Sequence, residues 1–243
     1  MEEVMKIQSK KSMLLLTALI GTLSIGSIAG YFTDGDTATN TFTVGKISLD
    51  LQESDWVPPV NIVPQQEFKK NPQIKNDGLN EEFVFVKVTV PYAHLVTANE
   101  DGTKNQASDT ELFSYDVNSG WTELSSEMVK DTTNKTITHL YAYTGEYATT
   151  MEPLEVNATT PSVFDYVRFA NIVEDQSVEA TTLNVVVNAY GIQTTNLYDG
   201  KESLDGNNAD GKVAPEEVWN IIETQNPSLQ NMVEEDAFTD IKQ

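Results

Sequence analysis

Cysteine is absent from the 243-residue chain, and histidine occurs only twice. Without thiols, buried apolar side chains rather than disulfides must hold the fold, and cysteine nucleophiles, cysteine-ligated zinc and iron–sulfur clusters are excluded. A catalytic zinc site needs about three protein ligands, so both His94 and His139 would have to meet a carboxylate from separate strands. Neither histidine stands in an H-E-x-x-H frame. The sequence therefore predicts no catalytic residue, and we expect the protein not to be an enzyme.

Basic residues are also scarce, since 15 lysines and arginines stand against 37 aspartates and glutamates, for a net charge of −22. Such a chain repels phosphate backbones and anionic membranes, which argues against nucleic acid as a partner. Phosphate-cradling glycine loops and the G-x-S-x-G elbow of serine hydrolases are missing as well. We therefore expect no small-molecule substrate, and among cofactors only calcium has any support.

Only one long uncharged run is present, residues 13–29, and three lysines precede it. Small residues end the run at Ser27, Ala29 and Gly30, and this order of zones is typical of a secretory signal peptide. The alternative is an uncleaved membrane anchor, but a spanning helix needs ~20 apolar residues and this run is shorter. The sequence predicts a signal peptide over residues 1–29, cleaved after Ala29 or Gly30, and hence a secreted protein.

The body of the chain, from residue 42 to residue 193, alternates apolar with polar residues and is rich in Val, Thr, Tyr and Phe, which predicts β-strands. The strongest predicted strand, over 82–90, is apolar on both faces in its first half, which is typical of a central strand, and Pro91 is expected to end it. Residues 53–198 are therefore expected to form an all-β, antiparallel β-sandwich. The other predicted strands are 136–143, 162–172 and 182–193, with a hairpin that joins 112–117 to 121–124.

The C-terminal part, residues 199–243, differs in composition and is predicted to be an acidic loop, a short helix and a tail. Pro215 at the first helical position, followed by acidic residues in the first turn, predicts a helix over 215–223. We expect this helix to cap the sandwich with its apolar face, which carries Val218, Ile221 and Ile222.

The loop before this helix matches part of the EF-hand pattern, with Gly211 at the sharp-turn position. Its first position is Gly206, which offers no carboxylate, and no helix is predicted before it. The alternative is a match produced by loop composition alone. The candidate calcium ligands are Asp205, Asn208, Asp210 and Glu217.

A second strand-forming segment, residues 30–52, begins at the predicted cut with Tyr31 and Phe32. The phase of its apolar residues switches at Gly45, which predicts a bulge. Residues 40–51 match the motif N-T-F-x-x-G-x-[LI]-x-L. This segment resembles the N-terminus of the TasA/CalY/camelysin family of Gram-positive bacteria, whose members are exported with a dedicated signal peptidase of the SipW type.

A second stretch, residues 62–78, is similar to the family's I-x-P-G and K-x-P-x-V-x-N-x-G segments, with Gln65 standing where the family usually has glycine. The resemblance implies a jelly-roll topology. It also implies a role in extracellular fibres of the biofilm matrix, assembled by donor-strand complementation. Camelysin relatives have been classed as metallopeptidases, so a cell-surface metallopeptidase is the alternative that the same resemblance carries.

A terminal strand can pair with an exposed sheet edge, and if the edge belongs to the next copy the contact is head-to-tail and builds a filament. We therefore expect residues 30–52 to be a donor strand, with copies of the chain as partners and the extracellular matrix or cell surface as location. The alternative is a strand that folds back on its own domain in a monomeric surface protein. The candidate assembly residues are Tyr31, Phe32, Phe42, Val44, Ile47, Leu49 and Leu51.

Overall fold

The computed structural model describes residues 33–36, 47–55, 62–173, 178, 183–197 and 212–225. Within these residues it is an antiparallel β-sandwich with one short C-terminal helix, which confirms the predicted fold class. The strands are β1 (Thr33–Asp36), β2 (Leu49–Gln52), β3 (Glu67–Lys69), β4 (Gln73–Asn76), β5 (Glu82–Leu95), β6 (Ser108–Glu111), β7 (Phe113–Ser114), β8 (Trp121–Glu123), β9 (Val129–Asp131), β10 (Thr136–Tyr143), β11 (Tyr166–Phe169) and β12 (Val186–Gln193), and the helix is α1 (Pro215–Gln225).

The larger sheet is built around β5, as the apolar residues on both of its faces predict. Its order is β1-β12-β5-β10-β8, with β6 also paired to β5 and β9 to β10. One face of β5 carries four valines into the sandwich interior, and the other face buries Phe83 and Phe85. A strand covered on both faces needs apolar residues at every position, which is the pattern in its first half.

Pro91 does not end β5, contrary to the prediction, because β5 continues to Leu95. Pro91 lies opposite Thr136 at the last position where β5 pairs with β10, and pairing with β6 starts at Tyr92. Proline cannot donate a ladder hydrogen bond. It is tolerated here because it stands where the strand changes partner, and its carbonyl still accepts the N–H of Leu112 at 2.8 Å.

The second layer consists of a three-stranded sheet, β3-β11-β7, and a two-stranded sheet, β2-β4. The predicted hairpin between 112–117 and 121–124 is wrong, because β7 pairs with β11 in this layer while β8 pairs with β10 in the larger sheet. Asn118 ties the link to β11's neighbourhood, since its N–H donates to the Val163 carbonyl at 2.8 Å. Turn-forming residues mark a change of direction, but they do not distinguish a hairpin from a crossing between layers.

Helix α1 packs on the outer face of the larger sheet. Its Trp219 ring lies 5.2 Å from the Phe85 ring and 5.6 Å from the Tyr190 ring, measured between centroids. The helix therefore buries the second apolar face of β5, away from the sandwich interior. In the part of the chain that the structure describes, no helix has the length and apolar character that membrane spanning requires.

Candidate functional site

The N-terminal segment joins both layers of the sandwich. Strand β1 adds to the edge of β12 in the larger sheet, with Asp34 opposite Gly191. Strand β2 pairs with β4 in the other layer, with Leu49 opposite Asn76. Both pairings are antiparallel and lie within one chain. The segment thus contacts the body through main-chain ladders on two sheets.

Three of the candidate assembly residues fall in the described part of this segment. Ile47 and Leu49 are buried, and Leu51 is half-buried and packs against the core. The apolar alternation that predicts strand formation here therefore corresponds to side chains that enter the sandwich. The remaining candidates lie outside the described residues: Ala29, Gly30, Tyr31, Phe32, Phe42 and Val44.

Polar contacts fasten the chain just after β2 to the start of the second family-like stretch. The Lys70 ammonium lies 2.6 Å from the Glu53 carboxylate, and the Lys70 side chain is only 5% exposed. The N–H of Asp55 donates to the Asn71 side chain at 3.2 Å. A buried ion pair tolerates little displacement, because moving one charge leaves the other without compensation in a low dielectric. Glu53 and Lys70 therefore hold the end of the N-terminal segment in place.

Gln65, which replaces the usual glycine of the second stretch, has a left-handed backbone with φ of 65°. It occupies the third position of a turn that the Gln66 N–H closes on the Val63 carbonyl at 3.1 Å, with Pro64 at the second position. Proline at the second position and positive φ at the third are the pattern of a type II turn, which favours glycine there. The family's glycine at this position therefore has a conformational reason.

Gln65→Gly is expected to raise the free energy of unfolding by about 0.5–1 kcal/mol, because it relieves left-handed strain that outweighs the added chain entropy. The Gln65 side chain is exposed, so little contact is lost. Urea denaturation measures the change. Gln66→Gly, at the neighbouring position of ordinary backbone, is the control and is expected to destabilise. A Gln65→Gly protein less stable than the unchanged one would contradict the strain.

Asn76 explains why the second stretch carries an N-x-G pattern. Its side-chain amide donates to the carbonyls of Asn80 and Leu154, each at 2.9 Å, and its Oδ1 accepts the Gly78 N–H at 2.8 Å. The side chain is fully buried, and every one of these bonds lies at the end of β4. The residue is a structural bracket that shapes the strand on which β2 lies.

His139 lies between two carboxylates. Its Nδ1 is 2.7 Å from a Glu123 oxygen and its Nε2 is 3.2 Å from a Glu111 oxygen. Because carboxylates only accept, this arrangement requires a proton on both ring nitrogens. The hydrogen bond to Glu111 is the largest cause that raises the pKa of His139 above its ordinary value, while partial burial opposes it.

The surroundings of His139 are aromatic. Tyr115 and Tyr141 share a hydrogen bond of 3.0 Å between their hydroxyls, and burial raises the pKa of both phenols. The Tyr115 ring meets the imidazole edge-on at 6.4 Å between centroids. These groups form a closed polar cluster at the rim of the core, and neither phenol is disposed to ionise.

The other histidine, His94, is a surface residue with 68% of its side chain exposed. It lies in β5, and its Nδ1 is 2.9 Å from Asp109. The second oxygen of Asp109 accepts a hydrogen bond from the Lys130 ammonium at 2.6 Å. His94 thus belongs to a solvated charge cluster.

The sequence model of the camelysin metallo-endopeptidase family matches residues 6–139, more than half of the chain. The chain belongs to this family. The match spans both motif stretches and the described elements from β1 to β10, and it bears out the resemblance seen at residues 40–51 and 62–78. Searches of curated proteins and of solved structures found no match.

The camelysin family's name implies a metal ion, and the described residues do not fit one. No three histidine, aspartate or glutamate side chains among them converge as a metal site would require. Glu111 and Glu123 approach different nitrogens of His139, so the three cannot meet at one point. Beside His94, the Lys130 ammonium on Asp109 repels a divalent cation.

The candidate calcium loop falls mostly outside the described residues, which include only Glu217 of its four ligands. Glu217 lies in the first turn of α1, and its carboxylate accepts the Ala214 N–H at 3.4 Å. An acidic residue at this position that reaches back to the N-cap is half of a capping box. Glu217 therefore has a role in starting the helix, and calcium binding at Asp205, Asn208 and Asp210 stays a prediction.

Proposed function

We propose that this camelysin-family protein is an exported structural subunit without enzymatic activity, which builds extracellular fibres of the biofilm matrix. Each copy donates its N-terminal segment to the next. The observation that carries the proposal is the position of β1 and β2, which add to sheets of both layers as strands from the chain terminus. Such strands can be exchanged between copies without changing a single contact.

The energetics favour propagation. In the exchanged form, β1 pairs with β12 of a neighbour and β2 with β4 of that neighbour, so the buried apolar area and the ladder hydrogen bonds equal those within one chain. The donating and accepting surfaces differ, so the contact is head-to-tail and does not close on itself. Copies therefore join into an open filament.

Export supplies the trigger in this proposal. The lysines and the uncharged run of residues 1–29 have the layout of a signal peptide that a SipW-type peptidase removes. Cleavage at Ala29 or Gly30 frees a terminus close to β1. The mature protein is then expected in the extracellular matrix or at the cell surface, with copies of itself as its partners.

A disulfide trap tests whether the segment pairs between copies. Gln52 on β2 lies opposite Gln73 on β4, and antiparallel partners have Cα separations of about 4.5–5.5 Å, which suit a disulfide. Because the chain has no cysteine, Gln52→Cys with Gln73→Cys introduces the only thiols. After oxidation of the processed protein under assembly conditions, non-reducing electrophoresis is expected to show a covalent ladder that disappears on reduction.

The controls separate specific pairing from random oxidation. Gln73→Cys alone is expected to yield dimers at most, and Gln52→Cys with Thr133→Cys, which are not strand partners, no ladder. Electron microscopy of the same samples should show fibres. A disulfide that forms only within single chains would contradict donation. Metal-dependent cleavage of casein by the purified protein, abolished by His139→Gln, would contradict the absence of enzymatic activity.

A further inference from the structure

Gly191 is a glycine whose backbone does not require it. It lies in the middle of β12, opposite Val84 of β5 and Asp34 of β1, and its φ is outside the left-handed region. Any L-residue can adopt extended backbone there. Glycine weakens a strand interior and is expected only where something approaches closely. The reason for this glycine is therefore the space beside it.

Leu49 fills that space. A Cβ placed on Gly191 would lie 3.0 Å from the Leu49 Cδ1 and 3.2 Å from its Cγ. The third neighbour is a carboxylate oxygen of Glu82, also at 3.0 Å, and both side chains are buried in the sandwich. These distances are shorter than real Cβ contacts, so a side chain at 191 and the leucine exclude each other. We call this space, bounded by Gly191 and Glu82, the Leu49 socket.

The socket connects the two layers through one side chain. The Leu49 backbone pairs with Asn76 on β4, while its side chain reaches β12 in the larger sheet. A shift of β2 by one residue would turn every side chain to the opposite face and present Ser48 or Asp50 instead. Asp50 would bring a second carboxylate beside the buried Glu82. The socket therefore accepts one register of the N-terminal segment and rejects its neighbours.

We propose that Gly191 is the specificity-determining residue for the N-terminal segment and that the partner which the Leu49 socket fits is Leu49 of a second copy. The occupant is committed by position, because residue 49 lies in the segment that we propose to be donated, and this part of the inference rests on the proposed function. The socket sets which segment joins a subunit, and in which register.

Single and double variants test the socket. Gly191→Ala is expected to raise the concentration needed for fibre formation about tenfold, a typical effect of overpacking. Gly191→Val is expected to raise it further, and Leu49→Ala to raise it through lost burial. The double variant Leu49→Ala/Gly191→Ala is expected to lose less than the two single losses combined, since alanine at 49 leaves room for the new methyl. Leu79→Ala, at a leucine that is 74% exposed, is the matched control and should change nothing.

Mixing two defective copies gives the sharpest result. A Gly191→Ala copy keeps Leu49 but has a filled socket, whereas a Leu49→Ala copy keeps the socket but lacks the leucine. In an equimolar mixture only one contact is intact, so sedimentation velocity is expected to show two-copy species at concentrations where each variant alone stays monomeric. Longer fibres are not expected.

The failures of the two proposals differ. If Gly191→Ala and Gly191→Val form fibres and unfold as the unchanged protein does, the socket is wrong while assembly stands. If the unchanged protein stays monomeric and the mixture yields only monomers, donation is wrong, and the socket between copies is overturned with it. In that case the double-variant coupling in urea unfolding decides the contact within one chain: coupling supports it, and additive losses overturn it.

Discussion

Trp219→Ala is expected to lower the free energy of unfolding by about 3–5 kcal/mol, the usual cost of removing a buried tryptophan. The Trp219 side chain is almost fully buried between α1 and the larger sheet, against Phe85 and Tyr190. The Lys87 ammonium also lies 4.9 Å from its ring centroid. Urea denaturation followed by circular dichroism measures the loss, and α1 is expected to detach from the sheet before the sandwich unfolds.

Two variants guard this prediction. Trp219→Phe keeps a ring and is expected to cost only about 1 kcal/mol, because the buried indole N–H has no hydrogen-bond partner among the described residues. Tyr166→Ala removes an aromatic ring that is 51% exposed and is expected to change the free energy of unfolding by less than about 0.5 kcal/mol. Equal losses for Trp219→Ala and Tyr166→Ala would show that α1 does not cover the sheet.

Asn76→Ala is expected to cost about 3 kcal/mol, because it removes three buried hydrogen bonds and leaves the Gly78 N–H without an acceptor. Asn76→Asp keeps the acceptor for Gly78 but directs a carboxylate toward two carbonyl oxygens, so it is expected not to rescue stability. Because β2 lies on β4, both variants should also weaken fibre formation.

An exposed asparagine provides the control for this second prediction. Asn99 donates to the Thr103 hydroxyl at 2.9 Å on the surface. Asn99→Ala is expected to cost less than about 0.5 kcal/mol, because water replaces the lost bond. A loss for Asn76→Ala no greater than that for Asn99→Ala would contradict the role of Asn76 as a structural bracket.

Helix α1 illustrates what local pattern can and cannot predict. Pro215, the acidic first turn and the apolar spacing predict a helix, and the structure confirms it. The pattern does not identify Trp219 as its main contact, nor the outer face of the larger sheet as its docking surface. The available signal was the pair Phe83 and Phe85, whose burial on the second face of β5 requires a cover.

The candidate site shows the same division. The motifs at residues 40–51 and 62–78 predict the family, which the match confirms. They do not predict that Lys70 and Asn76 serve structure, because a motif records residue types without their partners. Gly191 also escapes sequence reasoning, since a lone glycine in a strand reports close approach but not what approaches.

The sequence by itself determined the strand-rich class, the central place of β5, the helix and the strand character of residues 47–52, because period and composition are local properties of the chain. Only the tertiary structure decided that β7 and β8 lie in different layers, that β5 passes through Pro91 and that Leu49 fills the space beside Gly191. These outcomes depend on pairings between residues far apart in the chain, and the two-residue period of a strand is the same for every partner it could choose.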